Sequence, residues 1–93
     1  MEDYNRAIML DKDYVEAWVN RGVLKYRLQD YQGAVGDFNQ ALTLDDKYAE
    51  AYLDRGMARY MSQDLKGACE DWTTAKSFQL TDADALLEKY CQR

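Results

Sequence analysis

Apolar residues recur every three or four positions through most of the chain, which is the period of an amphipathic α-helix. Polar runs at residues 11–13 and 45–47 interrupt this pattern, and Asp30 and Asp64 stand where side chains cap the start of a helix. The pattern predicts helices near residues 2–11, 15–28, 31–44, 49–62, 65–78 and 82–91. We therefore expect an all-α fold.

The sequence repeats itself at a fixed period. Residues 15–48 align with 49–82 without a gap, and eleven of the 34 positions are identical. Residues 4–14 align with 38–48, with five identities in eleven, so the chain opens inside a repeat. That opening suggests either a piece of a longer array or a degenerate first repeat. We predict one domain over 1–93, with a half repeat (1–14), repeats at 15–48 and 49–82, and a capping helix (83–93).

Small and large residues alternate in each repeat, which predicts two antiparallel helices in close contact. Gly22 is expected to face Ala34, and Gly56 to face Ala68, while larger residues fill the ends of each contact. One such pair cannot bury both of its faces. The pairs must therefore stack into a solenoid.

These features resemble the tetratricopeptide repeat, a helix–turn–helix unit of about 34 residues. The resemblance covers residues 1–82, and Tyr4 and Ala7 match it in the half repeat. The matching positions of the two full repeats are Trp18, Gly22, Ala34, Phe38, Ala41, Tyr52, Gly56, Ala68, Trp72 and Ala75. The family implies a solenoid of about two and a half repeats with a C-terminal capping helix. More loosely, residues 67–72 and 86–91 are similar to the closing segment of some bacterial members.

The chain departs from the family pattern in two ways. Members often have a proline at the end of the repeat, and this chain has none. Lys25 and Arg59 stand in the first helix of each repeat, where a large uncharged residue is common. We expect their methylene stems to lie along the core and their charges to reach water.

The resemblance implies a concave groove, lined by the first helix of each repeat, that binds a peptide or a segment of a partner protein. The groove positions are Glu16, Val19, Asn20, Val23, Arg27, Glu50, Leu53, Asp54 and Met57. Some chaperone-binding members clamp a C-terminal carboxylate there with Lys and Asn, but Val19, Val23 and Asp54 occupy those positions here. A basic or apolar segment would suit this groove better than an acidic one. The alternative is a solvated surface without a ligand.

The 93 residues contain no His and carry a formal net charge of −5. The lack of His excludes triads that use it as a base and zinc sites that use it as a ligand. The acidic balance argues against nucleic-acid binding, no apolar stretch is long enough for a membrane span, and the acidic turns lack the pattern of a calcium loop. We expect a protein that is not an enzyme and that uses no cofactor or metal.

Cys69 and Cys91 each lie eleven residues from Leu80, on helices expected to form an antiparallel hairpin. The two positions come level in such a hairpin. A disulfide is one reading, and two buried thiols are the other. A disulfide would indicate a periplasmic or exported protein, and thiols a cytoplasmic one.

The function that we expect from the sequence is a protein-interaction module. The alternative is a structural segment that ends an array and stabilises neighbouring repeats. Ala7, Ile8 and Leu10 lie in a helix without its repeat partner, so we also expect an apolar patch there that supports self-association.

Overall fold

The computed structural model describes residues 14–91, which form five α-helices. These are α1 (Val15–Arg27), α2 (Tyr31–Leu44), α3 (Ala49–Met61), α4 (Leu65–Ser77) and α5 (Asp82–Tyr90). Each helix starts where the hydrophobic period predicts and ends within one residue of the predicted end. The helix predicted near 2–11 lies outside the described residues. The all-α solenoid is confirmed.

The turn between the two helices of a repeat is built from a left-handed residue followed by a capping aspartate. Gln29 has a φ of 67° and ends α1, because a left-handed residue lets its neighbours hydrogen-bond back to the last carbonyls of the helix. The Asp30 carboxylate then accepts a hydrogen bond from the Gly33 amide at 3.0 Å. Gln63 and Asp64 form the same arrangement at the equivalent positions of the second repeat. The chain therefore reverses within three residues in both repeats.

The helices pack mainly on their neighbours in sequence. Helix α1 lies against α2 and α3 against α4, which gives two hairpins, and the α2–α3 contact stacks one hairpin on the other. Helix α5 packs on α4 at the end of the stack. This order of contacts is that of a solenoid, in which each unit is stabilised by the next.

The core consists of two clusters, each centred on one fully buried aromatic side chain. Phe38 is the centre of the first cluster and Trp72 of the second. Tyr52 is partly buried and packs against both clusters, and Trp18 is partly buried in the first. Small residues surround the rings, and seven alanines have no exposed surface: Ala34, Ala41, Ala51, Ala58, Ala68, Ala75 and Ala83.

The glycine of each first helix makes room for the aromatic ring of the second helix. A Cβ atom added to Gly22 would lie 2.7 Å from Cε1 of Phe38, and one added to Gly56 would lie 2.5 Å from Nε1 of Trp72. The sequence predicts that an alanine faces each glycine, but the ring supplies the nearest atoms. The close approach of the two helices is therefore a contact between a ring and a bare backbone.

A buried carboxylate joins the two helices of the first hairpin. Asp37 is only 4% exposed and accepts two hydrogen bonds from the Arg21 guanidinium, at 2.8 and 2.7 Å. The ammonium group of Lys25 lies 3.3 Å from the same carboxylate. The Lys25 charge is thus paired as well as partly exposed, with 21% of its side chain accessible, because a buried carboxylate requires counter-charges.

The same arrangement recurs in the second hairpin. Asp71 accepts hydrogen bonds from Arg55 at 3.0 and 2.7 Å and from Arg59 at 3.1 Å, so the Arg59 charge is also paired. Arg55 additionally donates to the side chain of Asn39 in α2 at 2.8 Å. Arg55 thus connects three helices and ties the two hairpins together.

Helix α5 is fastened to the second hairpin by packing and by a covalent bond. Ala83 is fully buried, and the Tyr90 ring lies 4.5 Å from the Tyr60 ring and 5.9 Å from the Trp72 ring, measured between centroids. Cys69 and Cys91 form a disulfide across a Cα–Cα distance of 5.8 Å. The outward side of α5 is mainly polar, as a terminal helix in a repeat array requires.

Alanine substitutions at two helical glycines should have opposite effects. Gly56→Ala is expected to lower the free energy of unfolding by about 1–3 kcal/mol, because the added methyl group collides with Trp72. Gly36→Ala is the matched control. It has nothing within 4 Å of the added Cβ and should raise the free energy of unfolding by about 1 kcal/mol through helix propensity. Urea denaturation followed by circular dichroism measures both. Equal effects would contradict the close contact.

Candidate functional site

A cavity of about 200 Å³ opens between α1 and α3, the first helices of the two hairpins. Val23, Tyr26 and Arg27 line it from α1, and Asp54 and Met57 line it from α3. Phe38 of α2 completes the lining. Its walls are therefore mainly apolar, with one acidic and one basic side chain.

Most of the predicted groove positions are accessible. Glu16, Arg27 and Glu50 are exposed, while Asn20, Val23, Leu53, Asp54 and Met57 are partly buried. Four of the predicted groove residues line the cavity: Val23, Arg27, Asp54 and Met57. Tyr26 also lines it and was not among the predicted groove positions.

Val19 was predicted to line the groove, but the structure places it in the core. Its side chain is only 4% exposed and belongs to the core cluster around Phe38. Its counterpart in the second repeat, Leu53, packs on the other cluster, and the Leu53 carbonyl accepts a hydrogen bond from the Trp72 indole at 3.2 Å. This position of the repeat therefore serves packing more than ligand contact.

Asp54 is the chemically unusual group of the cavity. It forms no hydrogen bond or ion pair with any residue that the structure describes. Burial, with the neighbouring Glu50 carboxylate as a second cause, raises the pKa of Asp54 from 3.8 to about 6. The pKa of Tyr26 is raised as well, mainly by burial and in smaller part by Tyr31 and Asp54. The pKa of Tyr48 is raised by burial and by a set of carboxylates that includes Glu16, Glu50 and Asp54.

The acidity of this face follows from how the fold uses its basic residues. Four basic side chains of α1 and α3 point to the buried aspartates of the second helices: Arg21, Lys25, Arg55 and Arg59. The other charged side chains of α1 and α3 are three carboxylates, Glu16, Glu50 and Asp54, and one cation, Arg27, and all three carboxylates act on the Tyr48 hydroxyl.

The buried aspartates that cause this separation were not predicted from the sequence. The signal was available, since Asp37 and Asp71 are identical residues 34 positions apart, as are Arg21 and Arg55. A charged residue that recurs at the repeat period, on the side of a helix that also carries the core aromatic, indicates a buried ion pair.

A second and larger cavity, of about 840 Å³, lies between α4 and α5 beside the disulfide. Leu65, Leu87 and Tyr90 contribute its apolar lining, and Lys66 and Glu70 are its charged residues. The sequence did not predict it. It lies at the end of the stack rather than on the α1–α3 face.

The described part of the chain offers no obvious metal site or membrane-spanning helix. Within residues 14–91, no group of three or more Cys, Asp or Glu side chains is placed to hold a metal ion. None of the helices described there is long and apolar enough to cross a bilayer.

Antiparallel helix pairs that recur at a fixed period and stack on one another define a helical-repeat solenoid. Residues 15–48 match the family model of the tetratricopeptide repeat, and the described helices have the fold of a tetratricopeptide-repeat domain. A solved structure described as the first TPR of Spaghetti (RPAP3) bound to HSP90 peptide SRMEEVD is similar to it, with a TM-score of 0.91 and 28% sequence identity. The match covers 96% of this chain and 72% of the other. No curated protein sequence matches the chain.

Asp54→Asn should stabilise the protein near neutral pH. The pKa of Asp54 is higher in the folded state, so folding loses stability as pH rises from about 4 to about 6, where the unfolded chain releases the proton and the folded chain retains it. The amide removes this loss, and we expect a gain of about 1–3 kcal/mol at pH 7 that disappears toward pH 4.

Denaturation with urea at several pH values measures this difference. Asp46→Asn is the control, because Asp46 is exposed in a turn and its substitution should change stability by less than about 0.5 kcal/mol. A stability gain for Asp54→Asn that is the same at pH 4 and pH 7 would contradict the raised pKa of this partly buried carboxylate.

Proposed function

We propose that this chain is a non-catalytic protein-interaction module that binds an extended segment of a partner protein in the groove between α1 and α3. The observation that carries the proposal is the cavity on this face, whose apolar walls surround a carboxylate without a partner among the described residues. The similarity to a tetratricopeptide-repeat structure with a bound peptide supports it.

The partner segment is expected to differ from the peptide in that related structure. The peptide SRMEEVD carries three acidic side chains against one basic side chain. In this chain Val23 and Asp54 stand where carboxylate-clamping members have Asn, and Val19, where they have Lys, is buried. An acidic C-terminal segment would meet the carboxylates of Glu50 and Asp54 without a cationic clamp, so it would be repelled.

Selection of peptides from a phage-displayed random library on the immobilised 93-residue chain tests this function. Free peptides made from the selected sequences are then titrated into the protein by isothermal calorimetry. We expect Asn20→Ala, on the groove side of α1, to weaken binding about three- to tenfold. Gln40→Ala, an exposed change in α2, should have no effect. The peptide SRMEEVD should show no binding below millimolar concentration.

Two results would overturn this proposal. One is the absence of any selected peptide that binds in solution. The other is a set of peptides whose affinity is the same for the wild-type chain and the Asn20→Ala variant but is lowered by Gln40→Ala.

A structural segment that ends a repeat array is the second candidate function. The observation that favours it is helix α5, which carries a mainly polar outer side and is locked to α4 by the Cys69–Cys91 disulfide. Self-association through the half repeat at 1–14 belongs to this candidate, although Ala7, Ile8 and Leu10 lie outside the described residues. Sedimentation velocity from about 10 µM to about 1 mM tests it. A monomer over that whole range would contradict self-association, and a dimer would favour it.

The disulfide also bears on where the protein works. Disulfides persist in oxidising compartments and are rare in a reducing cytosol. We infer a periplasmic or exported location from the Cys69–Cys91 bond.

A further inference from the structure

The cavity between α1 and α3 has the size of one side chain. Its volume of about 200 Å³ is below the roughly 300–1,000 Å³ of pockets that hold drug-sized ligands, and it corresponds to about seven waters. A helix or a folded loop does not fit this space, whereas a single long side chain that projects from an extended segment does.

The lining of the cavity selects the chemistry of that side chain. Val23, Met57 and Phe38 present apolar surface, which suits a chain of methylene groups. Asp54 adds one carboxylate without a hydrogen-bond or ion-pair partner among the described residues. A neutral apolar side chain would bury that carboxylate further without compensation, and an acidic one would repel it.

We infer that this cavity binds the side chain of a lysine or arginine of the partner segment, with Asp54 as its counter-charge. The inference rests on the proposed function and names the chemistry of the partner at this position. The methylene stem lies along Val23 and Met57, and the Tyr26 ring, which also contacts Tyr31, lines the same cavity. An ion pair of this kind within an apolar surround is stronger than the same pair in water.

The charges around Asp54 favour a cation overall, with one exception. On α3, Glu50 lies one helical turn before Asp54 and adds negative charge. Tyr26 on α1 and Tyr48, which precedes α3, interact electrostatically with Asp54 but are neutral at pH 7. Arg27 on α1 lines the cavity without pairing to Asp54, and its charge opposes a bound cation. Arg27→Gln should therefore tighten binding.

The bound cation requires the ionised form of Asp54, so binding should depend on pH. The pKa of Asp54 is about 6 in the unliganded protein, which leaves roughly one-tenth of the molecules ionised at pH 5. The apparent affinity for a basic peptide should then be about tenfold weaker at pH 5 than at pH 7.5. Loss of this dependence in Asp54→Asn would attribute it to Asp54.

A double-mutant cycle with the peptides selected above tests the inference. Each Lys or Arg of a selected peptide is replaced by Met, and each version is titrated against the wild-type chain and Asp54→Asn. We expect one Lys→Met or Arg→Met change to weaken binding at least tenfold on the wild-type chain and less than twofold on Asp54→Asn. The second variant combines Gln40→Glu with Asp54→Asn, which moves the carboxylate to an exposed position of α2 and keeps the net charge. It should not restore affinity.

The outcomes separate this inference from the proposed function. Peptides that bind the groove with no basic residue coupled to Asp54 overturn the inference and leave the proposed function standing. Restored affinity in the combined variant also overturns it, because overall charge would then explain the effect. The absence of any groove-dependent peptide overturns both. Coupling of one basic residue to Asp54, with the pH dependence lost in Asp54→Asn, supports it.

Discussion

The geometry of each repeat depends on an aromatic ring that occupies the space of a missing side chain. Phe38 and Trp72 lie over Gly22 and Gly56, where even a Cβ atom would come within 2.7 Å. Because the ring touches the backbone, the distance between the two helices is fixed by the ring rather than by adjustable side chains. Close-packed interiors tolerate little change in volume. The first helix of each hairpin is thereby held at a fixed distance from the second helix. The side chains on the α1–α3 face are positioned by the same contact.

The buried aspartates determine the charge of that face. Asp37 and Asp71 could not lie in the interior without cations. They form ion pairs with four basic residues of the first helices of the two hairpins. The opposite side of the same helices keeps its carboxylates, since few cations remain there to neutralise them. The fold therefore separates charge across the helices α1 and α3. A requirement of the core gives the groove its acidic character.

The sequence predicts the helices, their caps and the packing residues, because these depend on local period and on spacing that recurs in each repeat. It does not predict how far a given helix position turns toward the interior. Val19 was expected in the groove and is in the core. The pairing of Lys25 and Arg59 with buried carboxylates was not predicted. Each difference arises at the boundary between two faces of a helix, where a small rotation set by hairpin stacking decides burial. The depth of Asp54 depends on that same stacking.

The two repeats share a framework but differ in most of their groove residues. The glycine and the buried aspartate with its arginine are identical in both, whereas position 20 is Asn and position 54 is Asp. The Asp54 carboxylate has no hydrogen bond or ion pair with the described residues, and burial raises its pKa, so its ionised form is disfavoured there. Asn at the equivalent position of the first repeat shows that the framework accommodates an amide. Under the proposed function, a residue that weakens the unliganded fold, at a position where a neutral one fits, is explained by its contact with the bound segment.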